Sequence, residues 1–318
     1  MNSIDISEHD PATAYVVVMR YKSMDLGSYV FKTTNYGQSW TKIVDGLNDP
    51  NGFARVVRAD KKKKELLYAG TEVGLYISEN DGRNWHPFNL NLPAVALNDL
   101  IIQDNDLVAA TSGRGFWILD DLGFLQQKNT NTNSVKLMKP KDTYLFKGGT
   151  SKGIGQGQNP KSGVTMDYYL PKEADTLNLK LEVLQDNKVI RTYTNKKPKG
   201  FKSWPGGPTP PVLLPAKKGV NRFTWNFSRE ALPAIDKVFV LGGLGGTTVA
   251  PGEYNLKLTF DKETTSNQVT ILPHPAIDAT PSDYEEQQTM LITIETTIKD
   301  MHESVNNMRS AKSQLGNY

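Results

Sequence analysis

LLYAGTEVGLYISENDGRNW, residues Leu66 to Trp85, is the stretch whose reading decides the fold. Leu66 to Ala69 is a short apolar run, Gly70-Thr71-Glu72 breaks it, and Gly74 to Ser78 is a second run ending in Glu79-Asn80-Asp81-Gly82. Short apolar runs bounded by Gly, Asn and Asp read as two strands and a hairpin turn. The turn carries Ser78-x-Asn80-x-Gly82-x-x-Trp85. A short Asx side chain bonds nearby backbone amides, glycine takes positive φ without a Cβ clash, and an indole packs beneath the hairpin. The spacing therefore braces a turn, and Trp85 is expected to be buried under it.

The same spacing occurs at Thr33-x-Asn35-x-Gly37-x-x-Trp40, and the two tryptophans lie 85 − 40 = 45 positions apart. A third repeat lacks the box: Leu107 to Leu119, LVAATSGRGFWIL, aligns with Leu67 to Ile77 around a shared Thr. The pattern resembles the Asp-box (BNR) repeat S-x-D-x-G-x-x-W, with Asn where the family usually has Asp. That exchange keeps the bracing acceptor and removes its charge. Asp-box hairpins recur in β-propeller blades, whose period is roughly 40 to 50 residues. The resemblance implies about three blades over residues 1–126, with Trp40 and Trp85 in equivalent places, each buried under its own hairpin turn. Thr33, Asn35, Gly37 and Trp40, and Ser78, Asn80, Gly82 and Trp85, are then structural residues. Three blades do not close a ring, which takes at least about four, so the chain is expected to be part of a longer protein.

Composition is compatible with this reading. The 318 residues suffice for two or three domains, and 38% hydrophobic content supplies ordinary cores. No apolar run approaches the ~18 residues of a membrane span, and no export signal follows Met1. The formal charge of +3 is small, and the one dense basic run, Lys61 to Lys64, falls at a hairpin turn without aromatic neighbours, which excludes nucleic acid as the leading partner. The absence of cysteine excludes disulfides, thiol catalysis and Cys-ligated metals. His9, His86, His274 and His302 are too scattered for a metal cluster, and no cofactor motif is present. LGGLGGTT, Leu241 to Thr248, lacks the strand-loop-helix context and the Lys of a phosphate-binding loop.

From Gln126 to Gly163 the composition shifts to Asn, Thr, Lys and Gly, which reads as a linker over 127–163 interrupted by one strand-like piece, Asp142 to Phe146. About seven strands follow over 164–273, with clean alternation at Tyr254, Leu256, Leu258 and Phe260, and imply a β-sandwich. G-x-N-R-F-x-W-x-F at Gly219 to Phe227 and P-G-x-Y-x-L-x-L at Pro251 to Leu258 resemble the immunoglobulin-like module of the flagellar hook-capping type. The resemblance makes Trp225 and Tyr254 core and corner aromatics. Thr280-Pro281-Ser282-Asp283 caps an amphipathic helix over 280–315, with Met290, Leu291, Ile294, Ile298, Met301, Val305 and Met308 at helical spacing. That stripe requires a partner. The fold class is mainly β: a partial β-propeller, an immunoglobulin-like β-sandwich and a C-terminal α-helix.

The whole layout resembles bacterial sortilin-type Asp-box proteins, which are often labelled glycosyl hydrolases. Glycoside hydrolysis usually needs two carboxylates across the scissile bond. Glu72, Asp120 and Asp121 are the candidates on blade strands, with Asp25 and Asp99 on loops, and none matches a family catalytic motif. Arg114, between two glycines and beside Phe116 and Trp117, reads either as a ligand-facing cation at a central channel or as the partner of Asp120 or Asp121. Two functions follow. One is a non-catalytic binding or scaffold segment of an extracytoplasmic protein, whose partners are the remaining blades or another protein chain, with carbohydrate as a candidate ligand. The alternative is the C-terminal part of a glycoside hydrolase whose catalytic carboxylates lie on other blades.

Overall fold

The computed structural model describes residues 2–50, 52–128, 133–146, 148, 161–174 and 178–315. The chain divides into two compact units, 1–128 and 129–318.

The first unit holds three antiparallel meanders. The first is β1 (Ser3–Ile6), β2 (Ala14–Val17), β3 (Val30–Thr33) and β4 (Thr41–Lys42), in that order across the sheet. The second is β5 (Ala54–Ala59), β6 (Leu67–Thr71), β7 (Leu75–Ser78) and β8 (His86–Pro87), again in order. The third is β9 (Leu97–Gln103), β10 (Asp106–Thr111) and β11 (Phe116–Leu119), followed by the short helix α1 (Gly123–Gln127). The middle sheet is buried on both faces. Leu67, Ala69 and Tyr76 pack with Tyr15, Val17 and Val30 of the first sheet, while Tyr68, Leu75 and Ile77 pack with Leu97, Leu100 and Leu107 of the third. This is why β6 and β7 read as unbroken apolar runs while β9 alternates. Gly70 is needed for the approach of the third sheet, because a Cβ there would lie 2.9 Å from that of Leu97.

The second unit builds two sheets around one core. β12 (Lys136–Leu137), β14 (Val164–Leu170) and β17 (Gly219–Trp225) form one. β13 (Thr143–Tyr144), β19 (Glu263–Leu272), β18 (Gly252–Phe260), β15 (Leu179–Gln185) and β16 (Lys188–Thr194) form the other, in that order. Met166, Tyr168, Phe223 and Trp225 from the first meet Leu181, Val183, Tyr254, Leu256 and Leu258 from the second in a single apolar cluster. Asp186 and Asn187 both take positive φ, the conformation of the two-residue turn that joins β15 to β16.

The extent of the linker needs correction. Lys136–Leu137 pairs antiparallel with β14, Thr143–Tyr144 pairs parallel with β19, and Val135, Leu137 and Met138 are buried. Residues 135–145 therefore belong to the second unit. Their apolar side chains are interleaved with Lys, Pro and Asp, so composition alone hides them. Of the rest of the proposed linker, 129–132, 147 and 149–160 lie outside the described residues.

α2 (Pro281–Leu315) starts at a reciprocal cap: the Asp283 carboxylate accepts from the Thr280 amide at 2.7 Å, and the Asp283 amide donates to the Thr280 hydroxyl at 3.3 Å. It lies against the second unit with a polar face. Glu295 pairs with Arg229 at 3.0 Å and accepts from Thr247, His302 Nδ1 lies 2.8 Å from the Pro233 carbonyl, and Asn306 and Arg309 donate to the carbonyls of Ala234 and Asp236.

Candidate functional site

The two box turns are built alike, atom for atom. In the first, the Thr33 hydroxyl donates to Asn35 Oδ1 at 2.9 Å and accepts from the Gly37 amide at 3.0 Å, while the Ser39 amide donates to Asn35 Oδ1. In the second, Ser78 donates to Asn80 Oδ1 at 2.9 Å and accepts from the Gly82 amide at 2.9 Å, while the Asn84 amide donates to Asn80 Oδ1. Gly37 and Gly82 take φ of 83° and 80°. Asn can stand in for Asp here, since the bonds that each box side chain accepts in its turn end on Oδ1, the oxygen it shares with Asp.

The tryptophans are a correction. Trp85 is 2% exposed, but it is buried against the preceding sheet rather than beneath its own turn: its Nε1 donates to the Ile43 carbonyl at 3.0 Å. Trp40 is 42% exposed and its Nε1 turns back to the Gly37 carbonyl at 3.1 Å. The indole is thus a seat for a neighbouring sheet, and the described residues place no sheet under Trp40. A second inter-sheet tie comes from the same turn: Asp81 accepts from the Tyr15 hydroxyl at 2.7 Å and from the Lys32 ammonium. Burial and this carboxylate push the Tyr15 hydroxyl well above its ordinary range.

Polar side chains converge where β1, β5 and β9 lie side by side. Arg58 on β5 donates to the Leu100 carbonyl at 2.7 Å, to Asp99 at 2.6 Å and to Ser3 at 2.8 Å. Arg55, on the same strand, pairs with Glu72 and donates to Asn98 Oδ1 at 2.8 Å. One strand thus supplies two half-buried guanidinium groups, each matched to its own carboxylate. Sequence reasoning missed this pair. Glu72 and Asp99 thereby neutralise the cations that would otherwise hold an anion.

The third sheet places its candidates apart from one another. Arg114 is exposed on the turn between β10 and β11, where its amide donates to Thr111 Oγ1 and its carbonyl accepts from Trp117 Nε1. Among the described residues its guanidinium pairs with neither Asp120 nor Asp121, contrary to the ion-pair reading. Asp121 is spent on structure: it takes positive φ, accepts from Asn105 at 3.0 Å and from the Gly123 amide at 2.9 Å, and so turns the chain into α1. Asp120 is exposed. Asp25 is held by the Tyr29 hydroxyl and the Gly27 amide, which keep its carboxyl below the usual range. Among the described residues no group of His, Asp and Glu is placed to hold a metal ion, and no helix is long and apolar enough to cross a membrane.

No family model matches the chain, and no curated protein matches it. Solved structures do resemble it. The Niastella koreensis GH74 enzyme aligns over 53% of this chain and 28% of its own, at 12% identity and a TM-score of 0.31. YCF48 bound to D1 peptide aligns over 61% of each chain at 16% identity and a TM-score of 0.27. The extracellular domain of BT4673 from B. thetaiotaomicron aligns over 83% of this chain and 30% of its own, at 10% identity and a TM-score of 0.26. The chain spans less than two thirds of the length of each.

Proposed function

We propose that this chain is a non-catalytic binding or scaffold segment of a larger extracytoplasmic Asp-box propeller protein, with three blades in the first unit and an immunoglobulin-like module in the second. Three stacked meanders and two matched box turns support the blade reading. The Tyr254 hydroxyl, which donates to the Ala250 carbonyl at 2.7 Å four residues upstream, supports the module reading, as do Trp225 and Tyr254 packed edge to face. The exposed outer face of the first sheet, with Ile4, Ile6 and Trp40, is then completed by a further blade or another protein chain.

The observation that carries the non-catalytic reading is the engagement of the candidate acids. Glu72 is tied to Arg55, Asp99 to Arg58 and Asp121 to a turn, which leaves the exposed Asp120 without a second free carboxylate of that set beside it. The purified chain, incubated with aryl glycosides and plant and bacterial polysaccharides, is expected to yield no product above a boiled control. Turnover that disappears on Asp120→Asn or Asp121→Asn would overturn the scaffold reading and place the acid or nucleophile in the third repeat.

A further inference from the structure

α2 turns its polar side inward and much of its apolar stripe outward. Gln288 and His302 are its buried residues, whereas Ile294, Met301, Met308 and Leu315 are 44%, 55%, 64% and 76% exposed. Those four recur every seventh residue. Three positions before each of the first three stand Leu291, Ile298 and Val305, half-buried, and Lys312 precedes Leu315 in the same way. Written as a heptad, Leu291, Ile298, Val305 and Lys312 occupy position a, and Ile294, Met301, Met308 and Leu315 occupy position d. A seven-residue apolar repeat is the seam of a coiled coil, so the missing cover is another helix. The helix does not simply roll to hide this seam. Glu295, His302, Asn306 and Arg309 anchor a different face, centred roughly 100° around the helix, on the body of the second unit.

We infer that the cover is the same helix of a second copy of this chain, running antiparallel. In an antiparallel pair, a residues face d residues of the partner, and the register of fullest overlap sets Gln287 opposite Lys312, Leu291 opposite Met308, Ile294 opposite Val305 and Ile298 opposite Met301. The two-fold axis then crosses between Lys299 and Asp300, near the middle of the 35-residue helix. Charge selects this direction. The first turns carry Asp283, Glu285 and Glu286, and the last carry Arg309 and Lys312. Antiparallel pairing brings the acidic end of each helix to the basic end of the other and seats Lys312 beside Gln287 with Asp283 on its flank. Parallel pairing would instead oppose Lys312 to Lys312 within the seam. The inference does not depend on the propeller reading, because the seam and its anchors lie wholly in the second unit.

The full chain, studied by sedimentation at ~100 µM, where association driven by mass action shows, is expected to be a dimer. Ile294→Glu with Met301→Glu, both solvent-facing in one copy, should give a monomer with unchanged helical circular dichroism. The chain has no cysteine, so direction and register can be read by cross-linking. Oxidising a mixture of Gln287→Cys and Lys312→Cys chains should form a covalent heterodimer, while Gln287→Cys alone should not form a homodimer. A monomeric wild-type chain would overturn the inference. So would a dimer that survives the double Glu change, as association through the ends of the sheet stack would, or efficient Gln287→Cys homodimer formation, which would mark a parallel pair.

Discussion

Trp40 and Trp85 occupy the same place in the same motif and do different work. The indole of Trp85 fills the gap between two sheets and donates to Ile43, whereas Trp40 shields only its own turn. Trp85→Ala should therefore cost about 3–5 kcal/mol, as large aromatic truncations in cores do, and Trp40→Ala under ~1 kcal/mol in the chain as it stands. Urea unfolding of the two variants, followed through the first unit, checks this. A similar cost for both would mean that Trp40 is covered in solution. Tyr254 offers a pH test at the same scale. Burial raises its hydroxyl to about 12, against an ordinary value of 10.0. A raised acid contributes stability that is complete below its unfolded value and is lost as pH rises through the folded one. Thermal stability of the second unit should fall between pH 10 and about 12, and Tyr254→Phe should flatten part of that fall at the price of the bond to Ala250.

At the scale of elements, what could be read from the residues was whatever rests on local pattern. β6, β7, β9 and β18 were legible because apolar runs and alternation report burial directly, and the box turns were legible because their bonds are made within a few residues. The inner arginines were not. Arg55 and Arg58 stand three apart, a spacing that points to opposite faces in a regular strand. The register of β5 shifts between Ala54 and Val56, and across this irregularity both side chains reach β9. β12 was missed, and β13 was read as a strand-like piece, Asp142 to Phe146, without its partner, for a related reason: two-residue strands carry no periodicity, and their partners lie far along the chain in β14 and β19. In α2 the stripe was legible, but its orientation was not, since that is fixed by backbone carbonyls of Pro233, Ala234 and Asp236, which leave no trace in side-chain pattern.

On the scale of the molecule, the position of the division between the two units decides how the chain behaves when cut. If 127–163 were a linker, a protease site inserted near residue 155 would separate the chain into a propeller fragment and a sandwich fragment. The sheets predict otherwise. The upstream fragment would still carry Val135, Leu137 and Met138 in buried positions, β12 in one sheet beside β14, and β13 in the other beside β19. Side-chain bonds add to this hold, with Asn267 donating to the Leu137 carbonyl at 2.6 Å and the Thr270 amide to Asp142 at 3.0 Å. Burying a Val, Leu or Met side chain is worth about 1.5–3 kcal/mol each, enough for the three together to retain the fragment. Cleavage should thus give two bands under denaturing conditions and a single peak on gel filtration. The same experiment on residues 129–318 alone should again give one peak, which locates the hold within the second unit. Leu137→Asp, which buries a charge without a partner in that strand, should let the pieces part; fragments that separate without it would return 135–145 to the linker.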